Sequence, residues 1–372
     1  MKEKILFYFH DGGMTGATLS LFRLLKHSAI LDIYDVHIYV PDQSSYLYEK
    51  LSKFQCKIHS FPRLEGKKNK IYELIVFYYY ITKMIFNIKP TFIYGNTILS
   101  FDIILLSKAL GYKTILHVHE GRNILNYFKF RVKLLGRLSD LIIFVSNSSY
   151  ENFNKIVEVI NKSKIISNGV EVINNDDTNK GVNNKIINLS IIGTINENKS
   201  QFKVIKVIKV INSIIIAQKS REIILNIYGS TKDYEYLNKM MMFIKENKLE
   251  KNIIFHGEES NIDKIYNNTD IVIVASKDES FGLVTIEAMS YGKPVISSNN
   301  EGTLDIIKDN FNGLIFNYND FNRIIMLVNK LIFNPIEYNK IRENGFFSVR
   351  KKYLLKNIVS DWEDELITQS NN

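Results

Sequence analysis

The 372-residue chain has a single cysteine, Cys56, so no disulfide can form within it and no paired-thiolate metal site can be built. That scarcity fits a reducing, cytoplasmic compartment. Five prolines and 18 glycines exclude collagen-like and linker-dominated architectures. Long apolar runs are missing as well. The longest, Leu74 to Ile81, falls far short of the roughly 18–20 residues that cross a bilayer. The opening run Ile5 to Phe9 is too short for a signal peptide and reads as a first strand. What is present is 45% hydrophobic and 23% charged residues, enough to bury a core, in a length that suggests two domains.

The net charge of +9 is spread unevenly. Residues 1–170 hold 23 Lys/Arg against 13 Asp/Glu, whereas the remainder holds 25 against 26. A basic half beside a neutral one points to an anionic partner, such as a phospholipid surface, a lipid diphosphate or nucleic acid, although a generally basic proteome gives the same excess. Nucleic acid is disfavoured because no helix-turn-helix or RNP-like signature occurs. Two basic-aromatic stretches are candidates for an anionic membrane surface: Lys67-Lys68-Asn69-Lys70 with the run Ile71 to Ile88, and Tyr127 to Arg137. A buried crossover helix is the plainer reading of the first, and a solvated helix serves the second equally well.

Short apolar runs at 4–9, 35–40, 92–95, 114–118, 141–145, 187–192, 223–228, 252–256, 271–275 and 294–297 alternate with helical stretches. That alternation predicts parallel sheets with crossover helices, hence an α/β fold of two doubly wound domains. The Asn- and Asp-rich stretch Glu171 to Lys185 is the best linker, which puts the domains at 1–175 and 176–352. The stretch from about Lys352 to Gln369 reads as a helix and is a candidate to pack back on the first domain. If the domains face one another, their strand C-terminal ends share a cleft, where open α/β sheets bind ligands.

The most informative segment, Ser276 to Met289, follows the run 271–275 and reads as strand, loop, helix. Glu279 and Glu287 are separated by seven residues, and Gly282 lets a ligand approach the backbone where free N–H groups form an anion site. With Glu279 in the loop and Glu287 two turns into the helix, the carboxylates stand about 12 Å apart, room for a ribose and a second sugar with a diphosphate between them. Compensation of the helix dipole could account for either acid alone.

This segment resembles the E-x7-E signature of retaining nucleotide-sugar glycosyltransferases of family four, whose GT-B fold pairs two facing Rossmann-like domains across an interdomain active site. Asn268-Thr269-Asp270, Tyr291-Gly292-Lys293-Pro294 and Glu301-Gly302 extend the resemblance. It implies that Glu279 contacts donor sugar hydroxyls and Glu287 the ribose, while Ser280, Phe281, Gly282, Leu283 and Val284 form the helix start that holds the diphosphate. Upstream, Gly193-Thr194 and Lys199 resemble the family's strand-end glycine and basic pair that neutralises the diphosphate. Thr194 stands where Arg is usual, so one charge is missing, which should cost rate or shift work onto backbone amides. A catalytically silent sugar-nucleotide-binding or assembly subunit is therefore the alternative.

The loop Phe9 to Ala17 has neither dinucleotide-binding nor P-loop spacing. Its Gly12 and Gly13 resemble the family's glycine loop near the diphosphate or acceptor, although a tight turn explains two glycines almost as well. In His117-Val118-His119-Glu120, residues two apart share a strand face, which raises zinc, but no further His/Cys cluster completes a four-ligand site. The resemblance implies that His119, or His117 in the other register, orients the transferred sugar; a core histidine is the bland alternative. Tyr228-Gly229-Ser230 and Phe255-His256-Gly257-Glu258 match segments that line the cleft or hold the base, as do Val145 to Ser148 and Ile166 to Val170.

The expectation is thus a retaining, hexosyltransferase-like enzyme, with His119, Lys199 and Glu279 catalytic. It would move a sugar from a nucleotide diphosphate donor to a saccharide, lipid-linked saccharide or protein acceptor in bacterial surface polysaccharide or glycan synthesis. The resemblance implies no cofactor and no obligatory metal, and no D-x-D motif follows a predicted strand. The expected location is cytoplasmic, at the inner face of the cell membrane.

Overall fold

The computed structural model describes residues 2–13, 15–61, 70–171, 185–217 and 221–371. The first sheet holds β1 (Lys4–Tyr8), β2 (Asp35–Tyr39), β3 (Lys57–His59), β4 (Phe92–Asn96), β5 (Lys113–Val118), β6 (Leu141–Phe144) and β7 (Ser163–Ile165), in the order β3-β2-β1-β4-β5-β6-β7. The second holds β8 (Ile186–Ile192), β9 (Glu222–Tyr228), β10 (Ile253–Gly257), β11 (Ile271–Val274), β12 (Val295–Ser298) and β13 (Leu314–Phe316), in the order β10-β9-β8-β11-β12-β13. Every pairing within these sheets is parallel. In each sheet the strand order reverses beside its first strand, between β1 and β4 and between β8 and β11. Such switch points leave a crevice at the strand C-terminal ends.

Each predicted apolar run becomes a strand. The strands without a clear run, β3, β7 and β13, are three-residue edge strands, and two of them read Lys-Ile-His and Ser-Lys-Ile. Three residues give too little alternation to distinguish a strand from a loop.

The chain divides into two compact units, Met1–Gly169 with Leu355–Asn372, and Val170–Leu354. The expected boundary at 175/176 and most of the linker Glu171 to Lys185 lie outside the described residues, as do Lys67, Lys68 and Asn69. Helices Gly16–His27, Ile30–Ile33, Tyr46–Leu51 and Leu355–Asn371 cover one face of the first sheet. Helices Lys70–Ile88, Phe101–Ala109, Arg122–Tyr127, Lys129–Leu138 and Asn147–Asn154 cover the other. The near-continuous apolar strands follow from this double coverage. Lys70–Ile88 covers the sheet mainly through Ile81, Met84, Ile85 and Ile88 of its second half, with Phe77 partly buried against the same core; Tyr72, Leu74, Ile75 and Tyr79 in its first half are exposed.

The helix Leu355–Asn371 completes the first core. Trp362 is fully buried against Phe7 and Tyr94, and its indole N–H donates to Tyr94 Oη at 3.1 Å. Truncating so large a buried side chain leaves a cavity and removes one of the two hydrogen bonds of the Tyr94 hydroxyl. Trp362→Ala is expected to destabilise the protein by about 3–5 kcal/mol in urea unfolding. A loss under about 1 kcal/mol would show that the helix is dispensable to this core.

Candidate active site

In the second unit, the loops after β8 and β11 meet at the switch point. The turn Glu197–Lys199 is capped by Asn196, whose side chain accepts the Lys199 N–H at 3.0 Å. Asn198 then clasps the β11 loop. Its carbonyl accepts the Lys277 N–H at 2.8 Å, its Oδ1 accepts the Asp278 N–H at 3.1 Å, and its Nδ2 donates to the Asp278 carbonyl at 3.0 Å. The two loops are thereby held in register, and Lys199 Nζ lies 2.7 Å from Glu279 Oε2. Both side chains are largely shielded, at 22% and 17% exposure, so water screens the pair less than it would a surface ion pair.

Lys199, Glu279, Gly282 and Val284 line one pocket with Ile191, Ile192, Ala275 and Ser276. Gly282, at φ +100°, begins the helix Leu283–Ser290, and the buried Phe281 packs edge-on against Tyr353 at 5.7 Å. Behind the pocket, a Cβ on Gly193 would lie 3.4 Å from Lys199 Cε, and one on Gly229 would lie 2.1 Å from the Gly193 carbonyl oxygen. The Gly229 N–H donates to the Gly257 carbonyl at 2.7 Å, so these glycines form one contiguous backbone wall. Thr194 is exposed beside it, and its carbonyl accepts from Gln201.

Of the expected residues in this unit, Lys199, Glu279, Gly282 and Val284 line the pocket, and Glu287 and His256 are among those that do not. Glu287 is buried on the helix Leu283–Ser290, and its Oε2 accepts the Tyr266 hydroxyl at 3.2 Å. The His256 ring stacks on Tyr228 at 4.3 Å and hydrogen-bonds Asn226 Oδ1 at 2.8 Å. Desolvation holds this histidine below its usual pKa.

Sequence reasoning gave Gly302 only as a flanking match and did not single out Asn198. A Cβ on Gly302 would come 2.5 Å from the Glu279 carbonyl oxygen and 2.6 Å from the Phe281 nitrogen, and its own N–H donates to that Glu279 carbonyl at 3.0 Å. Gly302→Ala must therefore displace the backbone that carries Glu279. Gly257, at φ +70°, has no atom within 4 Å of its would-be Cβ, so Gly257→Ala carries only backbone strain. We expect Gly302→Ala to cost about 2 kcal/mol or more in urea unfolding and Gly257→Ala about 1 kcal/mol. The reverse ranking would overturn the close-packing argument.

In the first unit, the strand ends carry a histidine-rich cluster. His119, at the end of β5, is half-buried, and its Nε2 pairs with Asn96 Oδ1 at 3.1 Å. Burial pushes its pKa down to about 3, with His10 adding repulsion. His117 is a core residue: it is fully buried, with Nδ1 2.6 Å from Tyr94 Oη. His10 pairs with Thr97 at 3.2 Å, and Thr97 sits at φ +117°, a strained conformation for a β-branched residue. The Gly13 N–H donates to Asp11 Oδ1 at 3.1 Å, and Gly12 lies against Ser45 from the loop after β2. Among the described residues, no cluster of three or more His, Cys, Asp and Glu side chains is arranged to hold a metal ion.

Glu120, weighed in the sequence only as a zinc ligand, is buried and accepts the N–H groups of Ile98 at 3.2 Å and His119 at 3.0 Å. Desolvation outweighs these donors and raises its pKa from 4.5 to about 7. The folded state therefore binds this proton more tightly than the unfolded chain does. The stability contributed is complete below the ordinary value and is lost as pH rises through about 7. Between about pH 5 and pH 8 this group should account for a fall of about 3 kcal/mol in unfolding free energy. Glu120→Gln should flatten that slope, and an unchanged slope in urea titrations would place its origin elsewhere.

A family model described as glycosyltransferase family 4 matches residues 14–173, and one described as glycosyl transferases group 1 matches residues 173–346. The poly(glycerol-phosphate) alpha-glucosyltransferase of Bacillus subtilis is 26% identical over 149 residues, 40% of this chain and 22% of that protein. The poly(ribitol-phosphate) alpha-N-acetylglucosaminyltransferase of Staphylococcus aureus is 30% identical over 155 residues, 40% of this chain and 30% of that protein. The chain thus spans less than a third of the length of these two relatives. An uncharacterised glycosyltransferase of Methanocaldococcus jannaschii aligns along nearly its whole length, at 24% identity over 95% of this chain and 94% of that one. Among solved structures, Anabaena HepE in complex with UDP and glucose superposes with a TM-score of 0.83 at 19% identity, covering 98% of this chain and 100% of that one. Staphylococcus aureus TarM in complex with fondaparinux, alpha-GlcNAc-glycerol and UDP gives 0.77 at 15% identity, with complete coverage of both chains.

Proposed function

The chain belongs to the family-four type of glycosyltransferases with the GT-B fold of two Rossmann-like units, and we propose that it moves a sugar from a nucleotide diphosphate sugar to an acceptor hydroxyl with retention of configuration. The observation that carries this reading is the meeting of Lys199 and Glu279 at 2.7 Å in the pocket where the helix Leu283–Ser290 begins. A cation, a carboxylate and free helix N–H groups together match the charges and hydroxyls of such a donor.

In the unliganded protein, Glu279 and Lys199 neutralise one another, so an incoming diphosphate does not meet a bare carboxylate. Donor binding exchanges this pair for two ligand contacts. Lys199 turns to the diphosphate, and Glu279 accepts hydrogen bonds from sugar hydroxyls. Glu287 takes the ribose, which requires its carboxylate to trade the Tyr266 contact for the ligand. The first unit contributes His119, neutral at working pH because burial holds its pKa near 3, as a hydrogen-bonding group rather than a charge. The Gly12-Gly13 loop lies on the same unit, where a ligand would take the Gly13 N–H over from Asp11 Oδ1.

In the transfer step, the bond from the sugar C1 to the diphosphate oxygen breaks, and the acceptor oxygen bonds C1 on the same face. The acceptor proton passes to the departing phosphate oxygen. Lys199 and the helix N–H groups stabilise the charge that develops there, the role a metal ion fills in other transferases. Thr194 leaves Lys199 without the usual second cation. HepE and TarM were both solved with UDP, which makes uridine diphosphate sugars the first donors to test. The two curated transferases act in polymer glycosylation, which supports a surface polysaccharide acceptor in a bacterial cytoplasm.

Release of nucleoside diphosphate by the purified chain, with and without chelator, tests the donor and the independence from metal; the anomeric configuration of the product tests retention. We expect Glu279→Gln and Lys199→Ala each to lower kcat/KM about a hundredfold. Because the two side chains act on one donor, the double variant should lose less than the product of the single losses. Donor binding without turnover on any acceptor would instead favour a sugar-nucleotide-binding subunit.

A further inference from the structure

We infer that the Tyr266 hydroxyl stands in for a ribose hydroxyl at Glu287 in the unliganded protein, and that it sets nucleotide affinity by competing with the ligand for that carboxylate. The inference rests on the donor reading above, in which Glu287 takes the ribose, and adds to it a residue that opposes binding.

Tyr266 lies on the helix Ile262–Asn267, which precedes β11, and is 1% exposed. Its hydroxyl donates to Glu287 Oε2 at 3.2 Å, and a second acceptor, the Val284 carbonyl, stands 3.5 Å from the same oxygen. A phenol has one proton to donate, so the nearer and charged acceptor holds it in the free protein. The ring itself is braced. It stacks on Tyr291 at 4.8 Å with 27° between the planes, and Tyr291 Oη donates to Asp263 Oδ1 at 2.6 Å, within the helix that carries Tyr266. With the ring fixed on both sides, what can change is the acceptor that the hydroxyl proton faces.

Each acid of the donor site is thus occupied from within, Glu279 by Lys199 and Glu287 by Tyr266. A buried carboxylate stripped of a donor is costly, so the Tyr266 contact stabilises the unliganded protein. The same contact must be given up before a ribose hydroxyl can take its place. When that happens the phenol proton turns to the Val284 carbonyl, and Tyr266 keeps a partner without moving its ring. Val284 lines the pocket with Lys199 and Glu279, which puts this second acceptor at the site itself. Deleting the hydroxyl therefore has two effects of opposite sign: the free protein loses stability and the nucleotide gains affinity. A tyrosine that only packs would lower both.

Calorimetric titration with UDP, GDP and ADP identifies the nucleotide that the purified full chain binds most tightly, and the 2′,3′-dideoxy form of that nucleotide is the control. Tyr266→Phe should bind the ribonucleotide about fivefold more tightly while its melting temperature falls, and should bind the dideoxy form as the wild type does. In a Glu287→Gln background the same substitution should change affinity by less than about twofold, because the carboxylate for which the hydroxyls compete is gone. Should Tyr266→Phe fail to fold, Tyr291→Leu, which removes the bracing ring, decides the question by the same gain. Weaker or unchanged binding of the ribonucleotide, or an equal gain with the dideoxy form, would overturn the proposal and leave the donor reading in place. The donor reading itself fails, and the proposal with it, if no nucleotide binds the wild type or if Glu287→Gln weakens the ribonucleotide no more than the dideoxy form.

Discussion

The adjacency of β8 and β11, strands far apart in sequence but paired in parallel at Leu189 with Ile271 and Ser190 with Val272, is the constraint on which the second unit's site depends. Parallel neighbours bring their C-terminal ends, and so their following loops, to one edge of the sheet. Residues 80 positions apart are then close enough for the Asn198 clasp and the Lys199–Glu279 pair to form. The first unit repeats the logic at β1 and β4, where His10 and Thr97, 87 positions apart, meet at 3.2 Å. Neither meeting needs an unusual loop, because the strand order alone supplies it.

The two clusters solve different electrostatic problems. In the second unit, the charged groups are shielded but paired, and the bare backbone of Gly193, where a Cβ would lie 3.4 Å from Lys199 Cε, leaves room for the lysine side chain. In the first unit, burial drives the titratable groups toward their neutral forms: His117 and His119 are held below the usual histidine range and Glu120 above the carboxylate range. The second unit thus presents a paired cation and carboxylate, whereas the cluster of the first unit presents groups held toward their neutral forms.

Much of this was legible in the sequence because long, β-branched strands buried on both faces announce themselves, and Glu279, Gly282 and Lys199 follow such strands directly. The three-residue edge strands did not, since their pairing is decided by a neighbour rather than by their own pattern. The setting of His256 was not legible for a related reason. The register of β10 shifts between Phe255 and Gly257, and that local irregularity sets the ring on Tyr228 and Asn226. Asn198 carries no local signal, because its three hydrogen bonds exist only once the β11 loop lies against it. The uneven burial of Lys70–Ile88 was hidden too. Its composition is apolar throughout, and only the sheet's extent decides which half is covered.

The histidine cluster shows how a site of this kind is supported from below. Thr97 in a strained conformation and Glu120 in a desolvated one each carry costs of order 1–3 kcal/mol, and both sit at the ends of strands that must not yield. The support comes from the far end of the sequence. Trp362 donates to Tyr94 Oη, Tyr94 bonds His117, and the His117 ring lies 4.0 Å from that of His119. The helix Leu355–Asn371 therefore does more than close the first core. Through one indole and one phenol it reaches the histidine whose ring packs against His119, so a segment more than two hundred residues away contributes to the surroundings of His119.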